Sequence, residues 1–383
     1  MTDNPKVLHL GHTSAAGGAE FALVRMLNAG VAWRAALLLP PTDWPGVFAN
    51  LPPDVPVRIR GVRQPAGVSR GSASLMADAT ARLVAQTIVT RLHPAFRRAD
   101  IVDANTTRAA AYGALAAQAS RKPFVVHLRD MVDPEALGTL GFEIMRRVIL
   151  ARADGIVTDS QATLDSAAPN LRADAVTAVI PSASGLAFRG ARPLPQGPIH
   201  VGMLARIDPW KGQSLLLDAF AQALGDTDAR LQLAGQAYFG HEDFLAALRS
   251  RAETLGIAER VDFLGQVKCV DRLLSSWHIA VQTSTRPEPL GQNVLQYLAA
   301  GRAVIVADEG GPTEWVVDGI NGLRVRPRDV ASLADALRRL GTDAELRGRL
   351  AAGASATPNL LSDSDVARAH AAFYAEVLQR RRT

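Results

Sequence analysis

The chain is nearly free of cysteine: Cys269 stands alone among 383 residues. One thiol cannot close an internal disulfide or build a Cys-based zinc site. Disulfide-stapled scaffolds and zinc fingers are therefore excluded, and a reducing, cytoplasmic setting is expected. Aromatic residues are also scarce, at 5%. No basic run has stacking rings interleaved, which argues against nucleic acid as a partner. Long apolar runs are missing too. No segment approaches the ~20 residues that span a bilayer, and Met1 to Val7 does not read as a signal peptide. What is present is a globular composition, 48% hydrophobic and 21% charged, with 31 Gly and 22 Pro. The charge is lopsided. Residues 1–190 hold 20 Lys+Arg against 15 Asp+Glu and residues 191–383 hold 22 of each, so the whole net charge of +5 lies in the first half. That excess reads either as ordinary surface arginine, with helix 76–92 simply packed, or as peripheral contact with an anionic inner membrane surface through helix 76–92 and Arg97-Arg98 of a basic N-terminal domain.

Short β-branched runs alternate with longer helical patterns. The strands expected are 7–12, 35–39, 56–60, 101–104, 123–128, 155–159 and 176–180, then 199–204, 230–235, 261–265, 279–283, 303–307 and 322–326. Helices are expected between them, among them 18–29, 109–119, 134–152, 212–224, 292–300 and 312–317. Near-continuous apolar strands separated by helices mean parallel sheets covered on both faces. Three prolines within Arg192-Pro193-Leu194-Pro195-Gln196-Gly197-Pro198 cannot lie inside a regular element. The sequence therefore predicts two doubly wound, Rossmann-like α/β domains, 1–192 and 199–361, facing across a cleft. A C-terminal helix over 362–383 is expected to follow, capped by Ser362 or Asp363.

Ligands of such sheets bind beyond the carboxyl ends of the strands, so the loops there carry the functional reading. Thr13 to Glu20 contains Gly17-Gly18 at the start of a helix, where N–H groups attract phosphate. The spacing of Gly11, Gly17 and Gly18 is not the G-x-G-x-x-G of a dinucleotide site, which argues against a nicotinamide oxidoreductase. Arg206 and Lys211 flank Asp208-Pro209-Trp210, two cations suited to clamp a diphosphate. Ser284 to Asn293 holds Glu288 between two prolines and then opens a helix at Gly291-Gln292. Asp308 to Glu314 is another glycine-rich turn.

These residues in this order resemble the GT-B fold retaining glycosyltransferases of family 4. The resemblance runs through Gly17 to Glu20, His127, Arg206 to Gly212, Phe263-Leu264-Gly265, Glu288-Pro289-Leu290-Gly291, Gln296 to Gly301, Gly310-Gly311 with Glu314, and Asn321-Gly322-Leu323. It implies transfer of a hexose-type sugar from a UDP- or GDP-sugar to an acceptor hydroxyl. It also implies that Glu288 orients the donor sugar, that His127 lies near the reactive centre, and that the C-terminal helix 362–383 packs back on the N-terminal domain. Arg206 and Lys211 would neutralise the leaving diphosphate, whose phosphate takes the acceptor proton. Gly17, Gly18, Val267, Leu290, Gly291, Gln292 and Gln296 would complete the donor contacts, and Arg129 and Asp130 would reach the acceptor or pair with each other. One position departs from the pattern: Gln296 stands where the family carries a second glutamate, and restoring Glu there is expected to tighten donor binding.

No metal and no cofactor beyond the nucleotide-sugar co-substrate is expected. Asp226-Thr227-Asp228 falls between a helix and the next strand, on the edge of the sheet away from the expected site. The rival readings are a nucleotide-sugar epimerase, a pseudo-glycosyl coupling enzyme, and a catalytically silent nucleotide-sugar-binding module.

Overall fold

The computed structural model describes residues 4–15, 17–64, 73–118, 120–186, 193–237 and 240–381. Packing divides the chain into one unit of Met1–Ala183 with Leu361–Thr383, and another of Ser184–Leu360. The sequence placed the break at the proline-rich segment 192–198. The structure places it near Ala183, because Leu186 already packs on the second unit's apolar core.

Seven strands make the first sheet: β1 (Lys6–Leu10), β2 (Arg34–Leu39), β3 (Val57–Ile59), β4 (Ile101–Ala104), β5 (Phe124–Leu128), β6 (Gly155–Thr158) and β7 (Val176–Val179). Their order is β3-β2-β1-β4-β5-β6-β7, every pair parallel. The order reverses between β1 and β4, so the loops after those two strands diverge and leave room for a ligand. Side chains alternate across the sheet. Leu8, Leu10, Val102, Ala104, Val126 and Leu128 pack on one face. Val7, Ile101, Val125 and Val157 pack on the other, against Leu23 and Met26 of helix Gly18–Asn28 and against the C-terminal helix Asp363–Arg380.

Ser362 begins that last helix with a capping box: its Oγ accepts from the Asp365 N–H at 3.0 Å, and Asp365 Oδ2 accepts from the Ser362 N–H at 2.8 Å. Burying its Val366, Phe373 and Val377 contributes on the order of 5 kcal/mol. The helix therefore belongs to the first unit although it follows the whole of the second.

Six strands make the second sheet: β8 (His200–Leu204), β9 (Arg230–Ala234), β10 (Val261–Gly265), β11 (Ile279–Gln282), β12 (Ala303–Ala307) and β13 (Leu323–Val325). The order β10-β9-β8-β11-β12-β13 is again parallel throughout and reverses between β8 and β11. Apolar clusters cover both faces, one around Leu216, Phe220 and Ile305, the other around Trp277, Tyr297 and Val304.

Two expected helices differ. The span 134–152 is kinked at Gly138, which leaves helical geometry at φ 69° and ψ 160° inside Pro134–Ile144, and it ends in a π-helical turn, Met145–Leu150. The span 312–317 is only a 3₁₀ turn, Gly311–Glu314.

Candidate active site

In the second unit the loops after β8, β11 and β12 emerge side by side, because those strands are neighbours. The loop after β8 makes a 3₁₀ turn, Pro209–Lys211, capped by Asp208. It ends at Gly212, with φ 82°. A Cβ there would sit 1.9 Å from the Thr283 carbonyl oxygen, so glycine lets the loops after β8 and β11 touch backbone to backbone. Thr285 N–H then donates to Trp210 O at 2.8 Å, and Thr283 Oγ1 to Gly212 O at 3.2 Å. The third loop docks in the same way. Gly310 has φ 70°, a Cβ on it would meet Glu288 backbone atoms within 2.8 Å, and Gly311 N–H donates to Glu288 O at 2.8 Å.

This lacing brings Lys211 and Glu288 together, with Nζ 2.6 Å from Oε1, Glu288 buried and Lys211 partly so. Ser284 Oγ donates to the same carboxylate oxygen at 2.5 Å. Burial alone would push the Glu288 carboxyl up, but Lys211 and hydrogen bonds from Lys211, Ser284 and Gln282 outweigh it and hold it below the usual range. Burial draws the Lys211 ammonium down, against the support of Glu288. The Lys211 ammonium also lies 3.8 Å from the Trp210 ring centroid, and the Arg286 guanidinium 4.2 Å from it. Arg206 is half-exposed, 3.5 Å from Asp208. A partly buried cation, a second cation nearby and an ionised carboxylate can together hold a diphosphate and a polyol.

Gly291, at φ 74°, starts helix Gln292–Ala299. Leu290 is buried at its entrance. Gln296 lies in its second turn, with Nε2 donating to Ser184 O at 3.1 Å. That bond gives a physical reason for the amide: a glutamate at 296 would face a carbonyl oxygen with no proton to offer. Val267, just after β10, packs on the apolar cluster that holds Val294 and Leu204. Asp226 to Asp228 follow helix Gln213–Leu224 and precede β9, where Thr227 Oγ1 donates to Leu224 O at 2.8 Å. Among the described residues no group of three His, Cys, Asp or Glu could hold a metal ion.

In the first unit, Gly17 precedes helix Gly18–Asn28 in extended geometry. Glu20, in that helix's first turn, folds back so far that a Cβ on Gly17 would meet its Oε2 at 2.3 Å. His127 lies in β5 and is buried, its Nε2 2.9 Å from Asp103 Oδ1. Arg129 and Asp130 do not pair with each other. The Arg129 guanidinium donates to Asp159 at 3.1 Å, to Asn105 Oδ1 at 3.2 Å and to His127 Nδ1 at 3.4 Å. Asp130 Oδ2 accepts from Thr107 Oγ1 at 3.0 Å. Arg129 is thus a tie among β5, β6 and the loop after β4, because its planar fork satisfies several acceptors at once.

Sequence reasoning missed Ser284, Trp210 and Arg286 in the second unit, and Asp103 and His370 in the first. Ser284 could have been found, since it opens the loop that carries Glu288. Asp103 and His370 gave no signal, because each sits within a strand or helix pattern that reads as core.

Residues 187–356 match the family described as Glycosyl transferases group 1. The D-inositol 3-phosphate glycosyltransferase of Stackebrandtia nassauensis is 31% identical over 250 residues, 61% of this chain and 56% of that protein. The chain spans about half the length of the curated relatives it matches. Anabaena HepE, solved with UDP and glucose, is similar over 97% of this chain and 100% of its own, with a TM-score of 0.80 and 26% identity. Sucrose-phosphate synthase of Thermosynechococcus elongatus has a TM-score of 0.78 over 98% of this chain and 100% of its own, and at 19% identity it shows the fold alone. Among the described residues no helix is long and apolar enough to cross a membrane. With two parallel α/β sheets, the protein has the GT-B fold, and its residues 187–356 match the Glycosyl transferases group 1 family.

Proposed function

We propose that the chain is a retaining glycosyltransferase that moves a hexose-type sugar from a UDP- or GDP-sugar to an acceptor hydroxyl, without a metal. The observation that carries this reading is the part-buried Lys211–Glu288 pair at the point where the second sheet reverses. An incoming diphosphate competes with Glu288 for Lys211. As the bond from the anomeric carbon to the diphosphate oxygen breaks, negative charge grows on that oxygen, and Lys211 and Arg206 absorb it together with the N–H groups at Gly291-Gln292. Glu288, ionised, accepts hydrogen bonds from sugar hydroxyls. The new bond forms from the acceptor oxygen to the same face of the carbon, and the acceptor proton passes to the leaving phosphate. Within the first unit, His127 and the Gly17-Gly18 turn are the residues to which the family resemblance assigns a part in the reaction. The UDP and glucose bound to Anabaena HepE support the donor class.

The reading extends to a peripheral contact with anionic membrane. Its support is the outer side of helix Ala73–Leu92, where Val84, Ile88 and Leu92 are exposed beside exposed Arg97 and Arg98. Flotation with anionic vesicles and none with neutral ones is the expected outcome.

Thermal-shift measurements with UDP, GDP and their sugars test the donor. A ligand that binds only the folded state raises Tm, and no shift with any of them would sink the reading. The anomeric configuration of the product, read by NMR, decides retention, and full activity in EDTA is expected.

A further inference from the structure

Three adjacent strands of the first sheet each carry a polar residue on the same face. Register pairs His9 of β1 with Asp103 of β4, and Asp103 with Val125, two residues before His127 on β5. Ile101, Val7 and Val125 continue that face as core under the C-terminal helix, so the three polar residues form an island at its end. The helix covers the island with His370 and Tyr374, both buried.

Complementarity fixes the protons. Trp33 Nε1–H can only donate, and it reaches His9 Nε2 at 3.1 Å. His9 therefore carries its proton on Nδ1 and donates it to Asp103 Oδ2 at 2.7 Å. Arg129 can only donate, and it reaches His127 Nδ1 at 3.4 Å. The His127 proton is then on Nε2, 2.9 Å from Asp103 Oδ1 but outside hydrogen-bond geometry, so the carboxylate acts on it through its charge. Val366 O can only accept, so His370 carries its proton on Nδ1, 2.8 Å away. The His370 ring stacks on His127 with centroids 5.1 Å apart and planes 16° apart.

We propose that Asp103 and His370 are positioning residues for His127: the carboxylate selects the Nε2–H tautomer and the stacked ring holds the imidazole plane. The proposal rests on the reading that His127 serves the transfer reaction. It makes the C-terminal helix, last in the chain, part of what orders the candidate site in the first unit. The chemistry is specific to a carboxylate. An asparagine at 103 offers one oxygen and one NH₂, whereas two N–H donors converge there. In either orientation one donor meets another, and neither histidine can change tautomer without turning its second N–H against Trp33 or Arg129.

Long-range ¹⁵N–¹H correlation spectra of histidine-labelled protein read the His127 tautomer without turnover. The Nε2–H pattern is expected, and an Nδ1–H pattern in the wild type would overturn the proposal. Asp103→Asn is expected to lower kcat about 10- to 100-fold, to move donor KM by less than about threefold, and to mix the His127 tautomers. A folded Asp103→Asn with wild-type kcat overturns the carboxylate's role. His370→Ala is expected to lower kcat about fivefold, with His370→Phe recovering most of the loss by restoring a stacked ring. No recovery overturns the role of the stacked ring, and this pair decides if Asp103→Asn does not fold. A wild type with the Nε2–H tautomer but no sugar transfer supports the geometry and sinks the transferase reading, so the two failures are distinguishable.

Discussion

The two units solve one problem in different ways. Each is a parallel sheet that reverses its strand order once and places charged side chains near the reversal. In the second unit those groups come from loops: Lys211 and Glu288 stand on turns held together by Gly212 and Gly310, and they pair at 2.6 Å. In the first unit they come from within the elements. His9, Asp103 and His127 are strand residues, His370 is a helix residue, and register and packing join them. A loop-built group can exchange its internal partner for a ligand. A group locked inside a sheet orients its neighbours and resists rearrangement, because neither His9 nor His127 can change tautomer without turning an N–H against Trp33 or Arg129.

The strongest way to break this contrast is Lys211→Ala. Removing one preorganised charge stabiliser should lower turnover about 10²–10³-fold. It should also leave Glu288 buried and unpaired, destabilising the second unit by about 3 kcal/mol. Steady-state kinetics and calorimetry check both parts, and near-normal turnover would remove Lys211 from the chemistry.

Acid sharpens the contrast from the other side. Burial lowers His370 to about 3 and His12 to about 4, with Arg108 adding to the effect on His12. A base whose folded value is depressed binds its proton in the unfolded chain first, so stability falls as pH drops below 6.5 and continues to fall until the folded value is reached. From pH 6.5 to 5 each histidine should remove about 2 kcal/mol from the first unit. Glu288, also depressed, leaves the second unit's pair intact until pH falls below its ordinary value near 4.5. Burial also lowers His200 and His278 of the second unit, so denaturant titrations at pH 7 and 5, read with a probe in each unit, should show both weakening and the larger loss in the first. Equal loss in both would refute the assignment.

The smallest effect is expected at Gln296→Glu. Losing the hydrogen bond to Ser184 O should cost about 1 kcal/mol, and donor affinity should not improve. Calorimetry showing tighter donor binding would mean that ribose contact outweighs the backbone tie, as family resemblance alone suggests.

The sequence by itself determined the two parallel sheets, the strand positions to within a residue or two, and the loops that carry Arg206, Lys211, Glu288 and Gly291. Glycine and proline mark turns by local backbone sterics, and apolar runs mark buried strands by local periodicity, so both signals survive in a one-dimensional reading. Tertiary structure alone decided that Arg129 ties strands together, that Gln296 is held by Ser184, that Asp103 joins His9 to His127, and that a helix more than 200 residues downstream packs His370 on His127. Those pairings depend on strand register and on which segments pack together. Both are settled by burying apolar surface over long separations in the chain, and neither leaves a local mark on the residues that meet.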